Sequence, residues 1–115
     1  MTQFKIIRVS DVQAPDAIRF RVDRKTHLGN PYVLGAHGNR ERVINLFDTW
    51  LKSIIAASRC SDARLLRWNE LRALDYLNTI VQASKNAAVI ELACHCCPLD
   101  CHARIIAETI QRLGL

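Results

Sequence analysis

Residues 94–102 read CHCCPLDCH, which places four of the chain's five cysteines and two of its four histidines in nine positions. Thiols and imidazoles bind soft and borderline metals and carry nucleophilic and proton-transfer chemistry near neutral pH. Three outcomes suit such a cluster: a metal centre, a reactive or ligand-binding site, or a tight turn lined by small buried sulfur side chains.

Spacing divides the six groups. Side chains two apart share a face of a strand, so Cys94 and Cys96 should point together while His95 and Cys97 point the other way. Pro98 cannot continue a strand ladder, and Asp100 is placed to cap a helix by accepting from the amides of His102 or Ala103. Cys101 and His102 then fall in the first helical turn. Free amides there favour an anion, which makes Cys101 the candidate reactive thiol, moderated by the charge of Asp100, and His102 the candidate proton carrier. The same residues allow a metal reading, in which Cys94, Cys96, Cys101 and His102 form a Cys3His set for structural zinc. Their local CxCC and CH spacing departs from the paired CxxC knuckles of strong zinc signatures.

A second group with chemical potential is basic. Arg24, Lys25 and Asn30 fall where a strand gives way to the loop KTHLGNPYVLGAHG, and Arg40 and Arg42 fall at the next helix start. Guanidinium forks and a mobile ammonium suit phosphate or carboxylate. The glycines match neither the dinucleotide-binding nor the Walker pattern, so no established phosphate loop is present. Cys60, His27 and His37 stand alone and are expected to be incidental.

The elements that must position these groups follow from periodicity. FKIIRV (4–9) and AIRFRVDR (17–24) read as strands, expected to be antiparallel neighbours; in the second, Ile18, Phe20 and Val22 alternate with Arg19, Arg21 and Asp23. Asn39 can cap a helix whose apolar stripe is Val43, Leu46, Phe47, Trp50, Leu51, Ile54 and Ile55. A second helical stretch starts near Ser61, with a break near Trp68 and Asn69, and carries Leu65, Leu66, Leu71, Leu74, Leu77, Ile80 and Val81. AAVIELAC (87–94) reads as a strand and residues 101–113 as a last helix with Ile105, Ile106, Ile110 and Leu113 inward. The order β-β-α-α-β-α implies an α/β fold with a small single-layer mixed sheet and a parallel crossover between strands 2 and 3. Both the GNP loop and the Cys/His segment would then leave the C-terminal edge of the sheet, where open α/β folds bind ligands.

A chain of 115 residues suits one domain, 1–115, with one core. No window approaches the length of a membrane span and the start lacks a signal-peptide pattern, so a soluble cytoplasmic protein with no membrane partner is expected. The net charge of +5 is uneven: residues 1–42 hold eight Lys and Arg against four acids, and the remainder eight against seven. That excess favours anionic partners such as a nucleotide or nucleic acid, although a solvated basic face is equally compatible with it.

The segments VDRKTHLGNPYVLG, NRERVINLFDTWL and LACHCCPLDCHARIIA together resemble a bacterial and phage family catalogued as domain of unknown function 4326. Matching positions are Arg24, Gly29, Asn30, Pro31, Arg40 or Arg42, Trp50, Leu51, Cys94, Cys96, Pro98, Cys101 and His102, within a match covering most of residues 18–108. The chain departs from the family pattern in a longer middle stretch, 56–87. The resemblance brings no mechanism, but it implies that the GNP loop and the Cys/His positions form one site. Three functions remain open. One is a small enzyme or binding domain for a nucleotide or other phosphorylated compound, with Arg24, Lys25, Asn30, Arg40 and Arg42 holding the anion. Another is a zinc-stabilised module for nucleic acid or protein, and the third an accessory protein of phage type acting through its surface. Cofactor identity, beyond zinc in the second case, and oligomeric state are left open.

Overall fold

A computed structural model describes residues 2–59, 66–96 and 99–112. The elements, in chain order, are β1 (Gln3–Arg8), β2 (Ala17–Arg21), α1 (Arg40–Ser58), α2 (Trp68–Ser84), β3 (Val89–Cys94) and α3 (His102–Arg112). The expected order β-β-α-α-β-α is therefore the observed one. Ser61, Leu65, Cys97, Pro98 and Leu113 lie outside the described residues.

The sheet order is β1-β3-β2, and both outer strands run parallel to β3. This corrects two expectations: β1 and β2 are not antiparallel neighbours, and the sheet is parallel rather than mixed. The reason lies in β3. Its residues 90–94, IELAC, are all buried, and a strand covered on both faces needs hydrogen-bonding partners on both edges. Strands of this length span about 20 Å. The eight residues 9–16 reach about 26 Å when extended, enough to return across the sheet without a helix.

Glu91 holds that return segment. Its side chain lies on the face opposite Ile90, Leu92 and Cys94. There Oε2 accepts from the Ala14 amide at 3.2 Å and Oε1 from Arg19 Nε at 3.1 Å. Asp11 Oδ2 accepts from the Arg8 amide at 3.0 Å, turning the chain after β1, and Gln13 Nε2 donates to the Ala17 carbonyl at 2.7 Å before β2.

The other face carries the core. Ile90, Leu92 and Cys94 join Val22, Leu28 and the inner residues of all three helices in one apolar cluster. Asn39 caps α1 as expected, accepting from the Arg42 amide at 2.9 Å, and Val43, Ile44, Phe47, Leu51 and Ile54 are buried, with Leu46, Trp50 and Ile55 at the border. In α2 the buried stripe is Ala73, Leu77, Ile80 and Val81. Leu71, expected to face inward, is exposed. At 3.6 residues per turn it sits about 120° round the helix from Leu77. Tyr76 of α2 donates its hydroxyl to the Arg21 carbonyl at 2.6 Å and meets Phe20 edge-on, locking this helix to the β2 edge.

The Glu91 bridge gives a stability prediction. Removing one partner of an enclosed ion pair leaves the other without compensation, so Glu91→Ala should lower unfolding free energy by about 3 kcal/mol in urea titration. The double change Arg19→Met with Glu91→Leu should restore most of it.

Candidate functional site

Because β2 and β3 are parallel, the segments that follow them leave one edge of the sheet, and between them lies a cavity of about 420 Å³. Arg24, Lys25, Asn30 and Arg40 line it from the basic side; Cys94, Cys96, Cys101 and His102 line it from the other. Two segments some seventy residues apart in sequence thus meet in one place. Of the candidate residues, only Arg42 lies elsewhere. Its exposed side chain covers Gly38, where an added Cβ would come 2.6 Å from Arg42 Cγ.

The GNP loop is built by folding the chain back on the end of β2. The Thr26 amide and hydroxyl both donate to the Asp23 carbonyl at 3.0 Å, and the Gly29 amide donates to the Thr26 carbonyl at 3.1 Å. A Cβ on Gly29 would lie 2.5 Å from Arg24 Cα and from the Asp23 carbonyl oxygen, so the close approach of two backbone segments requires glycine. Leu28 plugs into the core beside it. Asn30 is buried, its Nδ2 donating to the Val43 carbonyl at 3.0 Å and its Oδ1 accepting from the Tyr32 amide at 3.0 Å. One half of its amide thereby ties the loop to the first turn of α1 and the other closes the loop on itself. Arg24 clamps the same loop, its Nε donating to the Asn30 carbonyl at 3.2 Å and Nη2 to that of Tyr32 at 3.4 Å.

The cavity's charge is one-sided. Arg40 donates to the Asp100 carbonyl at 3.2 Å and acts on the Asp100 carboxyl through space, yet among the described residues neither it nor Arg24 nor Lys25 forms an ion pair. Leu34, Val43 and Ile44 supply apolar wall, and Tyr32 an aromatic edge.

The sulfur side is enclosed. Cys94 Sγ and Cys101 Sγ lie 3.2 Å apart, both buried. The hydrogen bond with Cys94, together with burial, pushes the Cys101 thiol far up, while the Ala103 amide pulls weakly the other way. Cys101 is thus a protonated thiol here, without the activation expected of a helix start. The cap expectation for Asp100 is also corrected. The helix begins at His102, so Cys101 occupies the cap position, and Asp100 instead pairs with Arg104 at 2.8 and 3.1 Å, which holds its carboxyl below the usual range.

His102 acts as a brace between α3 and the end of β2. Its Nε2 donates to the Val22 carbonyl and its ring meets Phe47 edge-on at 5.0 Å. Burial drives its pKa down, against the pull of the Val22 and Leu28 carbonyls, so the ring is neutral with its proton committed to Val22. Among the described residues, no group of three or more His, Cys, Asp or Glu side chains is arranged to hold a metal ion.

Two residues that the sequence reading passed over belong to the site. His95, expected to face away, lines the cavity, and its Nε2 lies 2.9 Å from Oδ2 of the buried Asp23. The β2·β3 register explains the meeting: Arg21 sits beside Ala93, and two steps further along both chains bring Asp23 beside His95. The Val22 amide, bonded to the Ala93 carbonyl at 2.9 Å, keeps the strands in step that far. Arg21 donates Nε to Asp23 Oδ1 at 3.2 Å and Nη2 to Oδ2 at 2.5 Å, and this bonding foremost holds the Asp23 carboxyl below the usual carboxylate range. The signal was present in the sequence, as VD ending one strand and CH ending its neighbour.

Burial orders the three described thiols, Cys60 and Cys97 lying outside the described residues. With iodoacetamide on the native protein, Cys96 should be alkylated well before Cys94 and Cys101, which should label only on unfolding. Peptide mass spectrometry with and without urea reads this directly.

No curated protein and no solved structure matches the chain. The profile of the family described as Domain of unknown function (DUF4326) matches residues 7–112, spanning both cavity-forming loops and every element from the end of β1 to α3. The chain belongs to that family.

Proposed function

We propose that this domain binds a nucleotide or another phosphorylated small molecule in the cavity at the C-terminal edge of its sheet. The observation that carries the reading is the convergence of Arg24, Lys25 and Arg40, none of them in an ion pair among the described residues, on one concave site. Cations left unpaired around a cavity favour an anion that enters it, and desolvation strengthens each contact beyond its value on an open surface. The volume falls within the range of small-molecule sites, and Leu34, Val43 and Ile44 suit a base or other flat apolar moiety beside the phosphate. A concave site favours a small ligand over a nucleic-acid duplex, which is met by a basic stripe or an element placed in a groove.

Roles follow from the free atoms. Lys25 is exposed, and among the described residues its ammonium carries no bond, so it supplies a mobile charge. Arg40 retains guanidinium donors beyond the one given to the Asp100 carbonyl. Arg24 contributes charge while holding the GNP loop, and Asn30 shapes the wall.

Calorimetry against nucleoside mono-, di- and triphosphates and sugar phosphates tests the reading. At least one should bind. Lys25→Ala and Arg40→Ala should each weaken it roughly tenfold, the loss of a charge-assisted hydrogen bond of about 1.5 kcal/mol, and added salt should weaken it further. Absence of binding across the set would overturn the proposal. So would stoichiometric zinc in the purified protein whose removal by a chelator unfolds the chain, since that result belongs to a zinc-stabilised module.

A further inference from the structure

We propose that His95, positioned by Asp23, is the general base of the cavity and removes a proton from a water molecule that attacks the bound phosphoryl group. This rests on the phosphorylated-ligand reading and extends it from binding to hydrolysis.

Geometry supports the assignment. Asp23 is almost fully enclosed; Arg21 grips both oxygens of its carboxylate, Nε at Oδ1 and Nη2 at Oδ2, and His95 Nε2 shares Oδ2 with Arg21. A carboxylate already held by a guanidinium is an acceptor, so the imidazole must present Nε2–H to it. The ring's lone pair then resides on Nδ1, for which the described residues offer no partner. A histidine with one nitrogen fixed by a carboxylate and the other free is the arrangement used to move protons to and from a reacting group. The His95 side chain is 69% exposed while Asp23 is 5% exposed, so the anchor is rigid and the acting ring accessible. His102 and Cys101 face the same cavity, but the first has its Nε2 proton given to Val22 and the second is enclosed with Cys94. Among the described thiol and imidazole groups lining the cavity, His95 alone combines access with an orienting partner.

The step balances without a cofactor. The water O–H bond breaks, its proton passes to His95 Nδ1, and its electron pair forms the new bond to phosphorus. The bond from phosphorus to the leaving oxygen breaks with both electrons on that oxygen, which takes the proton back from the imidazolium. Asp23 stabilises the imidazolium between these events, and Arg24, Lys25 and Arg40 stand where they can meet charge on the phosphoryl oxygens.

Phosphorus NMR on the compounds found to bind tests the proposal. At least one should release inorganic phosphate. His95→Gln, a change at an exposed side chain, should lower turnover 100-fold or more while its dissociation constant moves less than threefold. Long-range proton–nitrogen correlation spectra should show His95 as the Nε2–H tautomer, and Asp23→Asn should abolish that preference and lower kcat more than it raises KM. Binding that depends on Lys25 with no phosphate release would overturn the hydrolytic role while leaving the binding reading intact. Turnover that survives His95→Gln, or an Nδ1–H tautomer in the wild-type protein, would overturn it equally. If no phosphorylated compound binds, both proposals fall together.

Discussion

Everything at the site depends on β3 being hydrogen-bonded on both edges by strands that run its own way. The parallel pairing with β2 sends the GNP loop and the Cys/His segment out of the same edge, and the register sets which residues meet there. The pairing with β1 completes the backbone bonds of a strand that has no face open to water. It obliges the chain to cross back over the sheet in eight residues, and the crossing leaves a carboxylate, Glu91, under a loop where Arg19 and the Ala14 amide satisfy it. A buried charge at that position is thus a consequence of topology, since the crossover supplies few apolar side chains to cover the sheet.

Charge is distributed so that the cavity stays positive. Lys52 pairs with Asp48 along α1, and Arg104 of α3 with Glu108 in the same helix and with Asp100 just before it, all partly in solvent. Such pairs contribute little to stability. They do keep three acids occupied on the outer faces. Inside the cavity the one carboxylate on the lining, Asp23, is neutralised by Arg21 from outside it. Arg24 and Lys25 line the cavity with no ion pair among the described residues, Arg40 acts on the Asp100 carboxyl only through space, and the Asp23 anion, held by Arg21, contacts His95.

Much of this was legible in the sequence. The 3.6-residue stripe of α1, its Asn39 cap and the punctuation of the GNP loop each rest on local chemistry, and local chemistry decided them. The meeting of both loops at one edge followed from a single inference, that strands 2 and 3 are parallel. The direction of β1 was less accessible, because an eight-residue link fits a long hairpin as well as a crossover, and the choice is made by β3, eighty residues away. The Asp100 cap failed because the helix starts at His102, which moves the cap position to Cys101, while Arg104 holds both oxygens of the Asp100 carboxylate. Leu71 failed because a stretch rich in leucine supports more than one apolar stripe, and the packing of α2 against Phe20 and the rest of the core selects among them.

The residue types that drew attention first, Asn30, Cys101 and His102, are among those most completely used by the fold. Asn30 has donor and acceptor engaged, Cys101 shares its sulfur contact with Cys94, and His102 has given its Nε2 proton to a backbone carbonyl. A polar side chain enclosed beside a cavity must satisfy its hydrogen-bonding atoms or destabilise the protein, so burial itself tends to remove such a group from chemistry. Groups that remain available are anchored at one end and open at the other: Lys25 through its backbone, Arg40 through one donor to Asp100, His95 through one nitrogen to Asp23. That distinction cannot be read from residue type or spacing. It depends on which atoms the surrounding backbone consumes, and here the carbonyls of Val22 and Val43 convert a histidine and an asparagine into braces while the Asp23 carboxylate holds a neighbouring histidine at the cavity wall.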